Sequence, residues 1–88
     1  EAPLTPLAPI QVRRDDIDYN NHVNNAQYIR MALECLPEEF EPTSLRVEYK
    51  RPVPPGATLT PSLILEPTAA YVLLHMGTTL CTVVEFTR

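Results

Sequence analysis

One helix-period segment, followed only by strand-period segments, constrains the fold of this 88-residue chain more than any other feature. Between Asn24 and Leu36, the residues Tyr28, Ile29, Ala32, Leu33 and Leu36 recur at helical spacing as one broad apolar stripe, with Gln27, Arg30 and Glu34 opposite. Asn24 or Asn25 suits the N-cap, because a short amide side chain accepts from the first unpaired backbone N–H groups, and Pro37 stops the helix. Downstream, Leu45–Arg51 alternates apolar and charged residues, which predicts a half-buried strand with Leu45, Val47 and Tyr49 facing in. Pro52, Pro54, Pro55 and Gly56 mark a turn. Thr58–Glu66 reads as the next strand, with Pro61 easiest to place at an edge or a bulge. After a turn at Glu66-Pro67-Thr68, Tyr71–Met76 and Thr79–Thr87 read as strands joined near Gly77, the latter rich in β-branched residues. Upstream of the helix, Ile10–Arg14 is a short strand candidate.

The order is strand, helix, then four strands in antiparallel succession. One apolar helix and an antiparallel sheet bury each other when the helix lies across one sheet face, an α+β architecture. This is similar to the hot-dog fold, in which a curved antiparallel sheet wraps a single central helix. A helix covers only one face, so open edges and remaining apolar surface call for a second copy or a second half. The length allows one domain at most, and a chain this short buries a small share of its surface. Three prolines within residues 1–9 favour extended backbone, so residues 1–8 read as a linker or trimmed leader, the more so because the chain opens on Glu1. Residues 9–88 read as a single domain.

Composition narrows the function classes. A net charge of −4, with seven Lys and Arg, argues against nucleic acid as a partner, since neutralising phosphates needs a basic face. The longest apolar run, Ala69–Leu74, is too short to span a bilayer, and no secretory signal is visible. Cys35 and Cys81 form no metal-ligand spacing and read as free, mostly buried thiols in a reducing compartment, which points to the cytoplasm.

The chemistry concentrates in Asp18-Tyr19-Asn20-Asn21-His22-Val23-Asn24-Asn25, where one carboxylate, one imidazole and four amides directly precede the helix. A carboxylate and an imidazole there supply a base or nucleophile, and the helix start adds unpaired N–H groups for a developing oxyanion. Asp15, Asp16 and Asn21 read as turn and capping residues, because short polar side chains bond nearby backbone. Asn24 and Asn25 suit either capping or substrate positioning. His75 reads as a structural histidine within a strand, and no residue set has metal-ligand spacing.

The segment Arg14–Ile29 resembles the D-x-N-x-H-V-N-N signature of acyl-ACP thioesterases, and Leu45-Arg46-Val47-Glu48-Tyr49-Lys50-Arg51 is similar to the L-x-x-E-Y-x-R strand of that family. The likeness runs in order from Ile10 to Arg51 and is greatest to the C-terminal hot-dog half of the double hot-dog enzymes. It implies hydrolysis of a fatty acyl thioester to free fatty acid in fatty acid biosynthesis. Asp18, Asn20 and His22 then match the catalytic residues, and Asn24 and Asn25 the substrate-binding positions. Asp18 either attacks directly or activates water, His22 polarises the carbonyl or carries a proton, and Asn20 orients either one. No cofactor is implied. The implied partners are the acyl thioester on acyl carrier protein or CoA, and a second hot-dog half or a homodimer mate. Alternatives within the same fold are a stand-alone dimeric acyl-CoA thioesterase and a non-catalytic acyl-binding or assembly module. Pro52-Val53 stands where the plant enzymes carry a Glu-Cys pair, so no cysteine nucleophile is available there. Lys50, Arg51, Arg13, Arg14 and Arg46 suit a solvated face, or a contact with an acidic carrier or a phosphopantetheine phosphate.

Overall fold

Helix α1 (Asn25–Glu34) starts where Asn24, in extended conformation, caps it. It ends two residues earlier than Pro37 alone implies, with the Cys35 N–H closing back on Ala32 O and Leu33 O. The computed structural model describes residues 3–19 and 21–88. Within α1 the buried residues are Tyr28, Met31 and Ala32. The expected stripe is therefore corrected: Met31, left out of it, is fully enclosed, and Leu33, included in it, is 43% exposed. Positions 28, 31 and 32 face the sheet at i, i+3, i+4 spacing, whereas 29 and 33 lie on a flank beyond the sheet's cover.

Among the described residues six strands form the sheet: β1 (Leu4–Pro6), β2 (Ile10–Gln11), β3 (Ser44–Tyr49), β4 (Thr58–Leu65), β5 (Ala69–Met76) and β6 (Thr79–Thr87). Their order is β1-β4-β5-β6-β3, with β2 also paired to β4, and all pairings are antiparallel. Leu4–Pro6, inside the stretch expected to be a connection, is extended and adds a short edge to β4. The Ile10–Arg14 strand is shorter than expected. After Gln11 the chain turns, and Arg14–Asp16 forms one 3₁₀ turn.

Pro61 sits inside β4, between β5 on one side and β1 and β2 on the other. Its carbonyl accepts from Leu7 N–H at 3.0 Å. A strand residue's N–H points to the same side as its C=O, so the missing N–H falls at the break between β1 and β2. The ladder to β5 therefore loses nothing.

The inner face is built in rows across the strands. Val47, Val84, Val72 and Leu63 form one row, and Leu45, Phe86, Ala70 and Leu65 the next. Rows are deepest in the middle, where Phe86, Val84, Val72 and Ala70 are fully enclosed against α1. Leu45, Val47 and Tyr49 alternate as expected, but β3 is an edge strand, and Leu45 and Tyr49 stay 44% and 47% exposed.

Candidate active site

The site loop hangs from a single antiparallel bridge between Ile17 and Val23. Inside it the Asp18 N–H donates to His22 O at 3.0 Å, and the Asn21 N–H donates to Asp18 O at 3.0 Å. Asn21 has φ of 65°, a left-handed conformation that asparagine tolerates better than most residues. Side chains alternate along extended backbone, so Val23 enters the core, Ile17 packs against it, and Asp18 and His22 face away from it together. Tyr19, at the tip, is 96% exposed. Asn20 lies outside the described residues, so its catalytic role remains an expectation.

The loop is tied down on both flanks. Val23 N–H donates to Val53 O at 3.0 Å and Asn24 N–H to Asp16 O at 2.7 Å. Asp16, read from sequence as a turn residue, does more. Its buried carboxylate (the residue is 3% exposed) accepts from the Arg13 N–H at 2.8 Å and pairs with Arg30 at 3.1 Å. Arg30 also engages Gln27 and Glu34 along α1. The sequence assigned Arg30 to the polar side of the helix, where it is half exposed. What the periodicity could not supply was its partner fourteen residues upstream.

The helix start is nearly used up. Asn24 Oδ1 accepts from Ala26 N–H at 2.9 Å, and Gln27 N–H closes on Asn24 O at 2.9 Å. Asn24 is therefore a cap. With the Asn24 N–H also spent on Asp16, the Asn25 N–H is the first-turn donor left without a partner among the described residues.

Asp18, His22, Asn24 and Asn25 line one open cleft of ≈350 Å³ with Val23, Tyr28, Tyr49, Arg51 and Pro52. The Tyr28 and Tyr49 rings meet at 5.7 Å and 56°, a tilted aromatic wall. Burial raises the Tyr28 hydroxyl above its ordinary pKa, offset in part by the Val53 backbone and by the Thr82 hydroxyl, which itself makes no hydrogen bond of standard geometry. The sequence reading did not place Tyr28, Tyr49 or Arg51 at the site. Tyr28 had no signal beyond its place one turn into the helix, whereas Tyr49 and Arg51 stand in the L-x-x-E-Y-x-R match, at the end of β3 and just beyond it. Cys35 and His75 do not line the cleft. Cys35 donates its thiol to Met31 O at 3.3 Å beside a separate groove, and His75 lies on β5 at a bulge.

A loop-borne carboxylate and imidazole beside an open helix N–H can activate water and receive an oxyanion. The fold and this cleft define the class: a hot-dog thioesterase-like domain, with a curved six-stranded antiparallel sheet around one helix. The family profile of the acyl-ACP thioesterase C-terminal domain matches residues 5–78, and the chain belongs to that family. A Lactobacillus plantarum protein assigned as an oleoyl thioesterase superposes with a TM-score of 0.83 at 28% identity, over 94% of this chain and 36% of that one. The chain thus spans little more than a third of that relative. A Staphylococcus aureus protein solved in complex with CoA gives 0.82 at 19% identity, over 99% and 75%. A Prochlorococcus marinus protein assigned as a thioesterase gives 0.76 at 14%, over 93% and 77%. No curated protein sequence matches the chain significantly.

Proposed function

We propose that this domain is the catalytic C-terminal half of an acyl-ACP thioesterase, hydrolysing a fatty acyl thioester during fatty acid biosynthesis in the cytoplasm. The observation that carries the reading is the convergence of Asp18, His22 and the unspent Asn25 N–H on one cleft. In this reading Asp18 is the general base. It takes a proton from water as the water oxygen bonds to the acyl carbon, and the oxyanion is received by Asn25 N–H. The C–S bond then breaks, His22 relays the proton taken up by Asp18 to the leaving sulfur, and the carboxylic acid gives its own proton to solvent and leaves as its carboxylate. An oxyanion donor of this kind contributes about 3 kcal/mol to the transition state. Asn20 orients Asp18 or the water, and Asn24 frames the substrate through its amide NH₂.

The second hot-dog half supplies the other wall of the acyl site. Leu33, Leu45 and Tyr49 leave apolar surface open on the helix flank and on the β3 edge, as a half-assembly does. Assays of the full protein with acyl-ACP and acyl-CoA test the reading, beside Asp18→Ala and His22→Ala. Hydrolysis of acyl-ACP that both substitutions abolish is the expected result. Preference for acyl-CoA would move the assignment to the CoA branch, and activity indifferent to both substitutions would end it.

A further inference from the structure

Arg51 lines the same cleft as Asp18 and His22, and the hydrolysis scheme gives it no task. Its backbone is held between the sheet and the site loop. The N–H groups of Lys50 and Arg51 both donate to Cys81 O, at 2.8 and 3.1 Å. Two residues further on, Val53 O accepts from Val23, the residue between His22 and Asn24. A side chain rooted on such a segment is presented to the cleft from a fixed base.

The other cations near the sheet and helix are occupied or elsewhere. Arg30 is engaged by Asp16 and Glu34, Lys50 by Glu48, and Arg88 by the Phe40 ring and Pro67 O. Arg46 opens on a different hollow, with Glu48 and Glu85. Arg51 makes no ion pair among the described residues, and among them it is the one lysine or arginine lining the cleft. A planar, permanently charged fork with no carboxylate partner is suited to a carboxylate or phosphate.

Its place in the cleft decides which. A reacting thioester must bring its acyl carbon against Asp18, in the cleft that Arg51 also lines. The anion that the reaction itself leaves in that cleft is the carboxylate formed on the acyl carbon.

We propose that Arg51 is the receptor for the carboxylate of the released fatty acid. This rests on the thioesterase reading. The neutral thioester carbonyl makes little demand on the guanidinium, whereas the product pairs with it, so the domain is inhibited by its own acid through Arg51.

The test is binding and inhibition in the full protein, comparing wild type with Arg51→Gln and Arg51→Lys. Sodium octanoate and neutral octanamide serve as probes, by calorimetry and as inhibitors of thiol release. Octanoate is expected to bind wild type about tenfold more tightly than Arg51→Gln, the scale of one charge-assisted pair, with Arg51→Lys between them. Octanamide binds all three alike. Equal octanoate affinity in wild type and Arg51→Gln overturns the proposal, as does an equal loss for octanamide. A large fall in kcat with unchanged octanoate inhibition also overturns it, by assigning Arg51 to the oxyanion instead. Calorimetry separates this from the function itself: wild type that binds octanoate through Arg51 without cleaving acyl-ACP or acyl-CoA contradicts the thioesterase reading alone.

Discussion

Asp16 is the residue on which the site's shape depends most. It faces neither cleft nor solvent, yet its two carboxylate oxygens and its carbonyl join the 3₁₀ turn, helix α1 and the residue that caps α1. Removing the buried carboxylate leaves the Arg13 N–H without its acceptor, while the half-exposed Arg30 keeps Glu34 and Gln27. Asp16→Ala is expected to cost about 1–3 kcal/mol, read from the urea midpoint. Hydrolysis falls with it, because the turn ahead of the site loop loses its tie to Arg30 on α1. The buried titratable groups give a pH signature. Desolvation raises Cys35 and Cys81 above the ordinary 9.0 and Tyr28 above 10.0. All three are held neutral when folded and ionise more readily unfolded. Their contribution is therefore complete below the ordinary values and is lost as pH rises through the folded ones. The urea midpoint should fall as pH rises past the ordinary 9.0 of the thiols, and alkylation of Cys81 at pH 8 should track unfolding. Rapid alkylation of Cys81 in the folded state would contradict its enclosure.

At the scale of elements, α1 and the β5–β6 hairpin show what each local signal can fix. Asn24 holds the helix start through Oδ1, so Asn24→Ala should cost about 1 kcal/mol and Asn24→Asp should restore most of it in a thermal melt. Activity that follows the cap, rather than the amide, would assign Asn24 to structure and leave substrate positioning to Asn25. The hairpin between β5 and β6 was readable because Gly77 supplies the positive φ of 63° that a two-residue turn needs at its first position. Strand β3 was readable from alternation, since that pattern needs no knowledge of neighbours. Met31 and Leu33 were misplaced because 3.6-residue periodicity gives a broad stripe, and only the position of the sheet decides its centre. Leu4–Pro6 was unreadable as a strand because its pairing is to Ser62–Ile64, and edge pairing leaves no local mark. The same limit applies at the site. Asp18, His22 and Asn25 are neighbours in sequence and were found there, while Tyr49 and Arg51 reach the cleft through long-range contacts.

The molecule as a whole carries more apolar surface than its helix covers. Leu33 on α1 and Leu45 on the β3 edge stand out by more than two-fifths of their surface, and β3 has an unpaired flank. Leu45→Lys should therefore weaken docking of the second hot-dog half or copy. Sedimentation of the full protein checks this, with association unchanged by the charge as the contrary result. Among the described residues no helix is long and apolar enough to cross a membrane. The role proposed for the Asp18 carboxylate, in one cleft with His22 and Asn25, is to drive thioester hydrolysis. It is tested most directly by the rate of thiol release from acyl-ACP in the full protein, wild type against Asp18→Asn, with matched thermal melts. A fall of at least about 100-fold with an unchanged melt is predicted, the range for a lost general base. An Asp18→Asn protein that hydrolyses acyl-ACP at the wild-type rate would contradict the account.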